Sequence, residues 1–255
     1  MSLLEVRNLT IELGSTVFVK NLNFEAKEGK TLAIIGESGS GKTLTALAIM
    51  GLLQNSKFSV KGIVSFLGEN FLDKQEKEMK KLYLDEIAMV AQNPFKSLSP
   101  VQKIKENINT IHKIKKRKVD IEKLESLFEK MELDMHEILK KYPYECSGGQ
   151  LQRVMVLLSI LFEPRLLLCD EITCSLDYDS ATALISLLQN LKEKNEMSII
   201  FISHDISLVQ NIADDVLIMK EGKIVEKGSI SEIFGYPREP YTQELINAAC
   251  LERIC

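Results

Sequence analysis

The stretch Gly36-Glu37-Ser38-Gly39-Ser40-Gly41-Lys42-Thr43 fits the pattern G-x-x-x-x-G-K-S/T at every fixed position. Its glycines let the backbone curl so that N–H groups converge on phosphate oxygens at the positive end of a helix. In that pattern Lys42 reaches the β- and γ-phosphates of a nucleotide, and the Thr43 hydroxyl ligates Mg2+. The flanks agree. Thr31-Leu32-Ala33-Ile34-Ile35 precedes it as a continuously apolar run, and helix-forming Leu44-Thr45-Ala46-Leu47-Ala48-Ile49-Met50 follows. A strand apolar on both faces is one covered by helices on both sides, so an α/β fold with a mostly parallel sheet is expected.

Two further runs share that character, Leu166-Leu167-Leu168-Cys169 and Ile199-Ile200-Phe201-Ile202. They stop abruptly at Asp170-Glu171 and at Ser203-His204-Asp205. Open α/β sheets bind ligands beyond the carboxyl ends of their parallel strands, so these ends are expected to form one site. Asp170 can complete a Mg2+ shell there, and Glu171 can polarise an attacking water.

The remainder of the chain is ordinary. The first thirty residues alternate, with Leu9, Ile11 and Leu13, then Val17 and Val19, then Leu22, Phe24 and Ala26 on one face, predicting antiparallel strands. Between about 100 and 145, Ile121, Leu124, Phe128 and Met131 recur at helical spacing in a Lys/Glu-rich background. Lys113, Lys115, Lys116, Arg117 and Lys118 form a basic run, expected as a solvated helix end or loop. A helix through Ile206, Val209 and Ile212 is followed by a hairpin turning at Glu221-Gly222 and a closing helix from Tyr241 to Ala249.

Composition narrows the function classes. The 255 residues are 45% hydrophobic and 27% charged, which excludes disordered and fibrous chains. Lys+Arg number 32 against Asp+Glu 36, a net charge of −4, so a nucleic-acid partner is not expected. No apolar run approaches the ~20 residues that cross a bilayer, and Met1 to Arg7 carries no secretory pattern. Cys146, Cys169, Cys174, Cys250 and Cys255 form no CxxC pair, as expected of reduced thiols in a cytoplasmic protein.

Cys146-Ser147-Gly148-Gly149-Gln150 opens a further helix carrying Val154, Leu157, Leu158 and Leu161. This is either a second anion site or a plain helix start with Ser147 as N-cap. One phosphate loop and one such segment are hard to combine in a self-contained site. They fit an ATP sandwiched between two subunits. Alkylation of Cys146, beside the partner's γ-phosphate, is then expected to inhibit.

The set GESGSGKT, Gln92, CSGGQLQR, LLLCDE, Ser175-Leu176-Asp177 and His204 resembles the nucleotide-binding subunit of an ABC transporter along essentially the whole chain. That resemblance implies a single ABC ATPase domain over 1–255, with an N-terminal antiparallel subdomain and a helical subdomain at about 100–165. Glu171 and His204 are then the catalytic pair, Gly36 to Thr43 with Gln92 the nucleotide site, and Thr43, Gln92 and Asp170 the Mg2+ ligands. Ser147, Gly148, Gly149 and Gln150 touch ATP held by the partner, and Asp177 lies in the dimer-contact loop. Implied partners are two membrane permeases, a second ATPase (identical or paralogous) and an extracytoplasmic binding protein, with the chain peripheral on the cytoplasmic face of the membrane.

Gln92-Asn93-Pro94-Phe95-Lys96-Ser97-Leu98-Ser99-Pro100 and Phe234-Gly235-Tyr236-Pro237-Arg238-Glu239-Pro240-Tyr241-Thr242 resemble segments of oligopeptide, dipeptide and nickel importers. The chain stops soon after the second, which favours nickel as cargo, with peptides as the alternative. A ribosome- or DNA-directed ABC ATPase is the alternative of another class. Four departures stand out: Leu13 where relatives carry an adenine-stacking aromatic (Phe18 being the nearest replacement), Cys146 for Leu, Ile172 for Pro, and Cys174 before the dimer loop.

Overall fold

The computed structural model describes residues 2–252 apart from Asn55, Gln75 and Ser175. Ser175 and Cys255, singled out above, therefore lie outside the described residues, as does the side chain of Cys250. The chain begins with β1 (Ser2–Leu13), β2 (Thr16–Lys27), β3 (Thr31–Ile35), α1 (Lys42–Ile49), β4 (Ser59–Phe66) and β5 (Glu69–Asn70). There follow α2 (Glu76–Asp85), β6 (Ile87–Val90), α3 (Ile104–Lys115), α4 (Ile121–Lys130), α5 (Met135–Ile138), α6 (Gly148–Ile160) and β7 (Leu166–Asp170). It ends with α7 (Tyr178–Asn195), β8 (Ser198–Ser203), α8 (Ile206–Ile212), β9 (Asp215–Lys220), β10 (Lys223–Ser229), α9 (Ile230–Gly235) and α10 (Pro240–Glu252).

Among the described residues two sheets form. One is antiparallel, in the order β2-β1-β4-β5; the other runs β10-β9-β3-β8-β7-β6 and is parallel except for β10 at its edge. Strands β3, β7 and β8 are buried at every residue, which is why they read as unbroken apolar runs. Successive side chains serve opposite faces. Leu32 and Ile34 join a core with Leu4, Ile11, Phe24, Ala46 and Ile49, between the two sheets and α1. Ala33 and Ile35 join Val154, Leu157, Leu184 and Val209 beneath α6, α7 and α8. The central strand is thus fixed from both sides, and so is the loop that leaves its end.

Three local expectations need correction. Leu13 and Val17 are each 37% exposed, because they flank the Gly14-Ser15 turn, where Leu13 pairs only with Thr16. Register shifts around Ile11 break the alternation just before that tip. Ile121 in the first turn of α4 is exposed, although Leu124, Phe128 and Met131 are buried. Lys115 of the basic run is not free in solvent: its Nζ lies 4.6 Å above the Phe162 ring and donates to the Leu84 carbonyl.

The two sheets meet through backbone. The Lys20 N–H donates to the Gly222 carbonyl at 2.7 Å, and the Gly222 N–H donates to the Ser40 carbonyl at 3.1 Å. The β9–β10 turn is therefore wedged between β2 and the phosphate loop. A Cβ on Gly222 would lie 2.2 Å from the Phe18 carbonyl oxygen, and its φ is +76°. Gly222→Ala should therefore cost about 2 kcal/mol or more, since strained backbone alone costs about 1–3 kcal/mol. Gly14→Ala, with φ of +59° and open space around its Cβ, should cost only about 1 kcal/mol. Urea unfolding of both variants checks this, and equal losses would contradict the wedge.

Candidate active site

The loop after β3 ends in α1, whose N-cap is Gly41 at φ +100°. No side chain caps this helix and its own first turn holds no acidic residue, so its positive end faces the loop. Gly36 is required by close approach, since a Cβ there would lie 2.2 Å from the Met219 carbonyl oxygen. Lys42 is only 4% exposed. Its ammonium donates to the carbonyls of Gly36 at 2.7 Å and Glu37 at 2.9 Å. Burial pushes its pKa below that of an ordinary lysine, a shift opposed by the charges of Glu171, Asp170 and Glu37.

The end of β7 faces this loop. The Thr43 hydroxyl donates to Asp170 Oδ1 at 3.3 Å, and Asp170 is 2% exposed. Burial raises the Asp170 carboxyl above the usual range, while the Thr43 bond pulls it back. Glu171 is a non-glycine residue at φ +49°, with its N–H bonded to the Ile202 carbonyl at 3.0 Å. This turns the chain out of the sheet directly after Asp170. Three side chains surround the Glu171 carboxylate. Gln92 Nε2 donates to Oε2 at 2.7 Å, His204 Nδ1 stands 3.7 Å from Oε1, and Lys42 Nζ stands 3.9 Å from Oε1. Lys42, Thr43, Gln92, Asp170, Glu171 and His204 therefore form one cluster, drawn from the start of α1, the end of β7 and the segments that follow β6, β7 and β8.

Among the described residues the second glycine motif shares no hydrogen bond or ion pair with this cluster. Ser147 is the N-cap of α6: its Oγ accepts from the Gln150 N–H at 3.1 Å, and Gln150 Oε1 accepts from the Ser147 N–H at 3.1 Å. This reciprocal cap satisfies two donors at the helix start. A Cβ on Gly148 would meet nothing, whereas one on Gly149 would lie 3.2 Å from Leu176 Cδ2. Asp177 caps α7 through the Ser180 N–H at 2.9 Å and the Ser180 hydroxyl at 2.7 Å, and these bonds hold its carboxyl below the usual range. The Cys146 expectation does not hold. That thiol is 6% exposed, sits 3.8 Å from the Tyr142 carbonyl, and is pushed up in pKa by burial; Cys174 is the exposed thiol near Glu171.

Two contacts were not anticipated. Gln92 bonds directly to Glu171, and the Glu37 N–H donates to the Tyr241 hydroxyl at 3.2 Å. Strand β6, Ile87 to Val90, was also missed, though it is a short apolar run ending just before Gln92.

A family model described as ABC transporter matches residues 19–174. The oligopeptide transport ATP-binding protein OppD of Bacillus subtilis is 38% identical over 254 residues, covering 96% of this chain and 71% of that protein. The dipeptide transport ATP-binding protein DppD of Lactococcus lactis is 34% identical over 256 residues, covering 96% and 73% respectively. Among solved structures, the dimeric post-hydrolysis state of the ATP-binding cassette MJ0796 bound to ADP and Pi superposes with a TM-score of 0.78 at 25% identity, covering 89% of this chain and 98% of that one. The phosphate loop, the Asp-Glu strand end and the separate Ser-Gly-Gly-Gln helix thus belong to a member of the ABC transporter ATPase family.

Proposed function

We propose that this chain is the ATP-hydrolysing subunit of a peptide importer, acting as one half of a head-to-tail ATPase dimer. The observation that carries the dimer is that, among the described residues, no hydrogen bond or ion pair joins the Ser147 cap to the cluster around Lys42. The ammonium of Lys42 bonds to carbonyls of its own loop, and among the described residues the Ser147 side chain bonds within its own cap. Each ATP then needs the loop of one subunit and Ser147, Gly148, Gly149 and Gln150 of another. Asp177, at the start of α7, lies in the segment that meets the partner. The peptide cargo rests on the relatives named for oligopeptide and dipeptide transport. Nickel, the first expectation, had only the short tail in its favour, and it is replaced by the peptide reading. A ribosome- or DNA-directed role has no counterpart among these relatives.

In this reading Gly36, Glu37, Ser38, Gly39, Ser40, Gly41, Lys42 and Thr43 cradle the nucleotide phosphates. The residues present also suit Mg2+. Thr43 and Asp170 offer hard oxygens that already approach within 3.3 Å, and Gln92 keeps its amide oxygen free while its nitrogen binds Glu171. The ion would neutralise charge on the phosphates. Glu171 takes the proton of the attacking water, and His204 stands beside the same carboxylate to orient it. Gln92 ties that carboxylate to the segment after β6, so displacement of this segment by a permease would free the base. Phe18, edge-on to Phe58 at 5.9 Å beside the phosphate loop, is the aromatic offered to adenine in place of Leu13.

We place the chain on the cytoplasmic face of the membrane, held by two permeases in a system with an extracytoplasmic binding protein. No helix among the described residues is long and apolar enough to cross a bilayer. The chain is treated as one ABC ATPase domain over 1–255, with 100–165 as its helical part.

Glu171→Gln should still bind Mg-ATP while hydrolysis in the assembled transporter falls by roughly 10²–10⁴-fold. Near wild-type turnover would remove Glu171 from the role of base. Sedimentation tests the sandwich. The chain should be monomeric without nucleotide, and Glu171→Gln with ATP should dimerise, alone or with a paralogue. Adding Ser147→Arg should abolish that dimer while leaving ATP binding at Lys42 intact, and persistence of the dimer would overturn the head-to-tail arrangement.

A further inference from the structure

The closing Pro237-Arg238-Glu239-Pro240-Tyr241-Thr242 segment takes no part in the chemistry above, yet it is built against the phosphate loop. Glu226 on β10 accepts from the Arg238 N–H at 2.9 Å and the Glu239 N–H at 3.2 Å. Pro240, which has no N–H to satisfy, then opens α10. Gln243 Nε2 closes the turn on the Pro237 carbonyl at 2.9 Å. The segment before α10 is therefore clamped to the sheet edge through its donors, and Gln243 ties the helix back onto that segment. That clamp seats Tyr241, 7% exposed, with Lys220 Nζ 4.3 Å above its ring.

From this seat the Tyr241 hydroxyl accepts the Glu37 N–H at 3.2 Å. Glu37 follows Gly36, whose Cα is already pressed on the Met219 carbonyl, and its own carbonyl accepts from Lys42 and from the Ser40 N–H. Tyr241 thus holds the amide of one of the two residues whose carbonyls receive the Lys42 ammonium. The bond is only partly buried, so without the hydroxyl the Glu37 N–H turns toward water and the loop shifts with it. The carbonyl that positions Lys42 would shift with it.

We propose that Tyr241 is a positioning residue for nucleotide binding, and that the P-x-x-P-Y-T segment exists to hold its hydroxyl against the phosphate loop. The inference rests on the reading of that loop as the ATP site. It acts on the loop before ATP arrives, so it affects affinity rather than turnover.

Tyr241→Phe removes the hydroxyl and keeps the ring under Lys220. Mg-ATP binding to the full chain should weaken about 3- to 10-fold, the range expected for one lost hydrogen bond. The kcat at saturating ATP in the assembled transporter should stay within about twofold, because no group that touches the reacting atoms is altered. Hydrogen exchange on the nucleotide-free chain should quicken in residues 36–43 and nowhere else. Tyr241→Leu, which also empties the seat, should give the same local exchange and at least the same loss of affinity. If wild type binds Mg-ATP and Tyr241→Phe binds equally well, the inference is overturned and the nucleotide reading stands. If wild type does not bind Mg-ATP, the nucleotide reading falls and takes the inference with it. Faster exchange spread over the whole chain, or an equal fall in kcat, would mark Tyr241 as merely structural and also overturn it.

Discussion

Three backbones meet at the phosphate loop with no room for a side chain between them. The β9–β10 turn bonds to β2 through the Gly222 carbonyl and to the loop through the Gly222 N–H. Met219, just ahead of that turn, presses its carbonyl against Gly36. The loop's shape is therefore set by both sheets at once, rather than by its own glycines. Those glycines permit the curl, and the neighbouring backbone selects it. Lys42 then has two carbonyls waiting for its ammonium, and α1 starts with no side-chain cap of its own.

The electrostatics follow from that placement. Burial disfavours the charged forms of both Lys42 and Asp170, yet each is held near an opposite charge. Glu171, in a left-handed backbone conformation, brings a second carboxylate to the same point. Gathering one ammonium and two carboxylates out of water costs stability. Sites of this kind are commonly functional, because a structure rarely keeps such an arrangement for stability alone. The Gln92 amide shows how the resting chain contains the excess: it occupies one oxygen of Glu171 and leaves His204 near the other.

The layers, the phosphate loop and the Asp170-Glu171 and His204 strand ends were legible because each depends on local sequence. A fully buried strand must read as continuously apolar, and its polar end then stands out. What the sequence did not reveal depends on tertiary contact. Nothing local to Tyr241 says that its hydroxyl meets an N–H some two hundred residues earlier. Cys146 was misjudged because adjacency to a glycine motif says nothing of burial, and the 3-10 turn at Pro143–Glu145 tucks that thiol inward. Leu13 and Val17 kept the strand alternation in sequence, but a hairpin tip has no opposing layer to bury them. The cargo is not legible for another reason: an ATPase subunit does not touch what is transported, and the relatives' transport names support the peptide alternative and not nickel.

We propose that the loop between β3 and α1 is a phosphate site assembled around Lys42. Thermal unfolding of the isolated chain with Mg-ATP, Mg-ADP or adenosine tests it most directly. Binding to the native state alone at 100 times the dissociation constant should add about 2.7 kcal/mol of stability. Mg-ATP and Mg-ADP should therefore raise Tm, adenosine at the same concentration should not, and Lys42→Ala should erase the rise. A Tm that adenosine raises equally, or a rise that survives Lys42→Ala, would contradict the account.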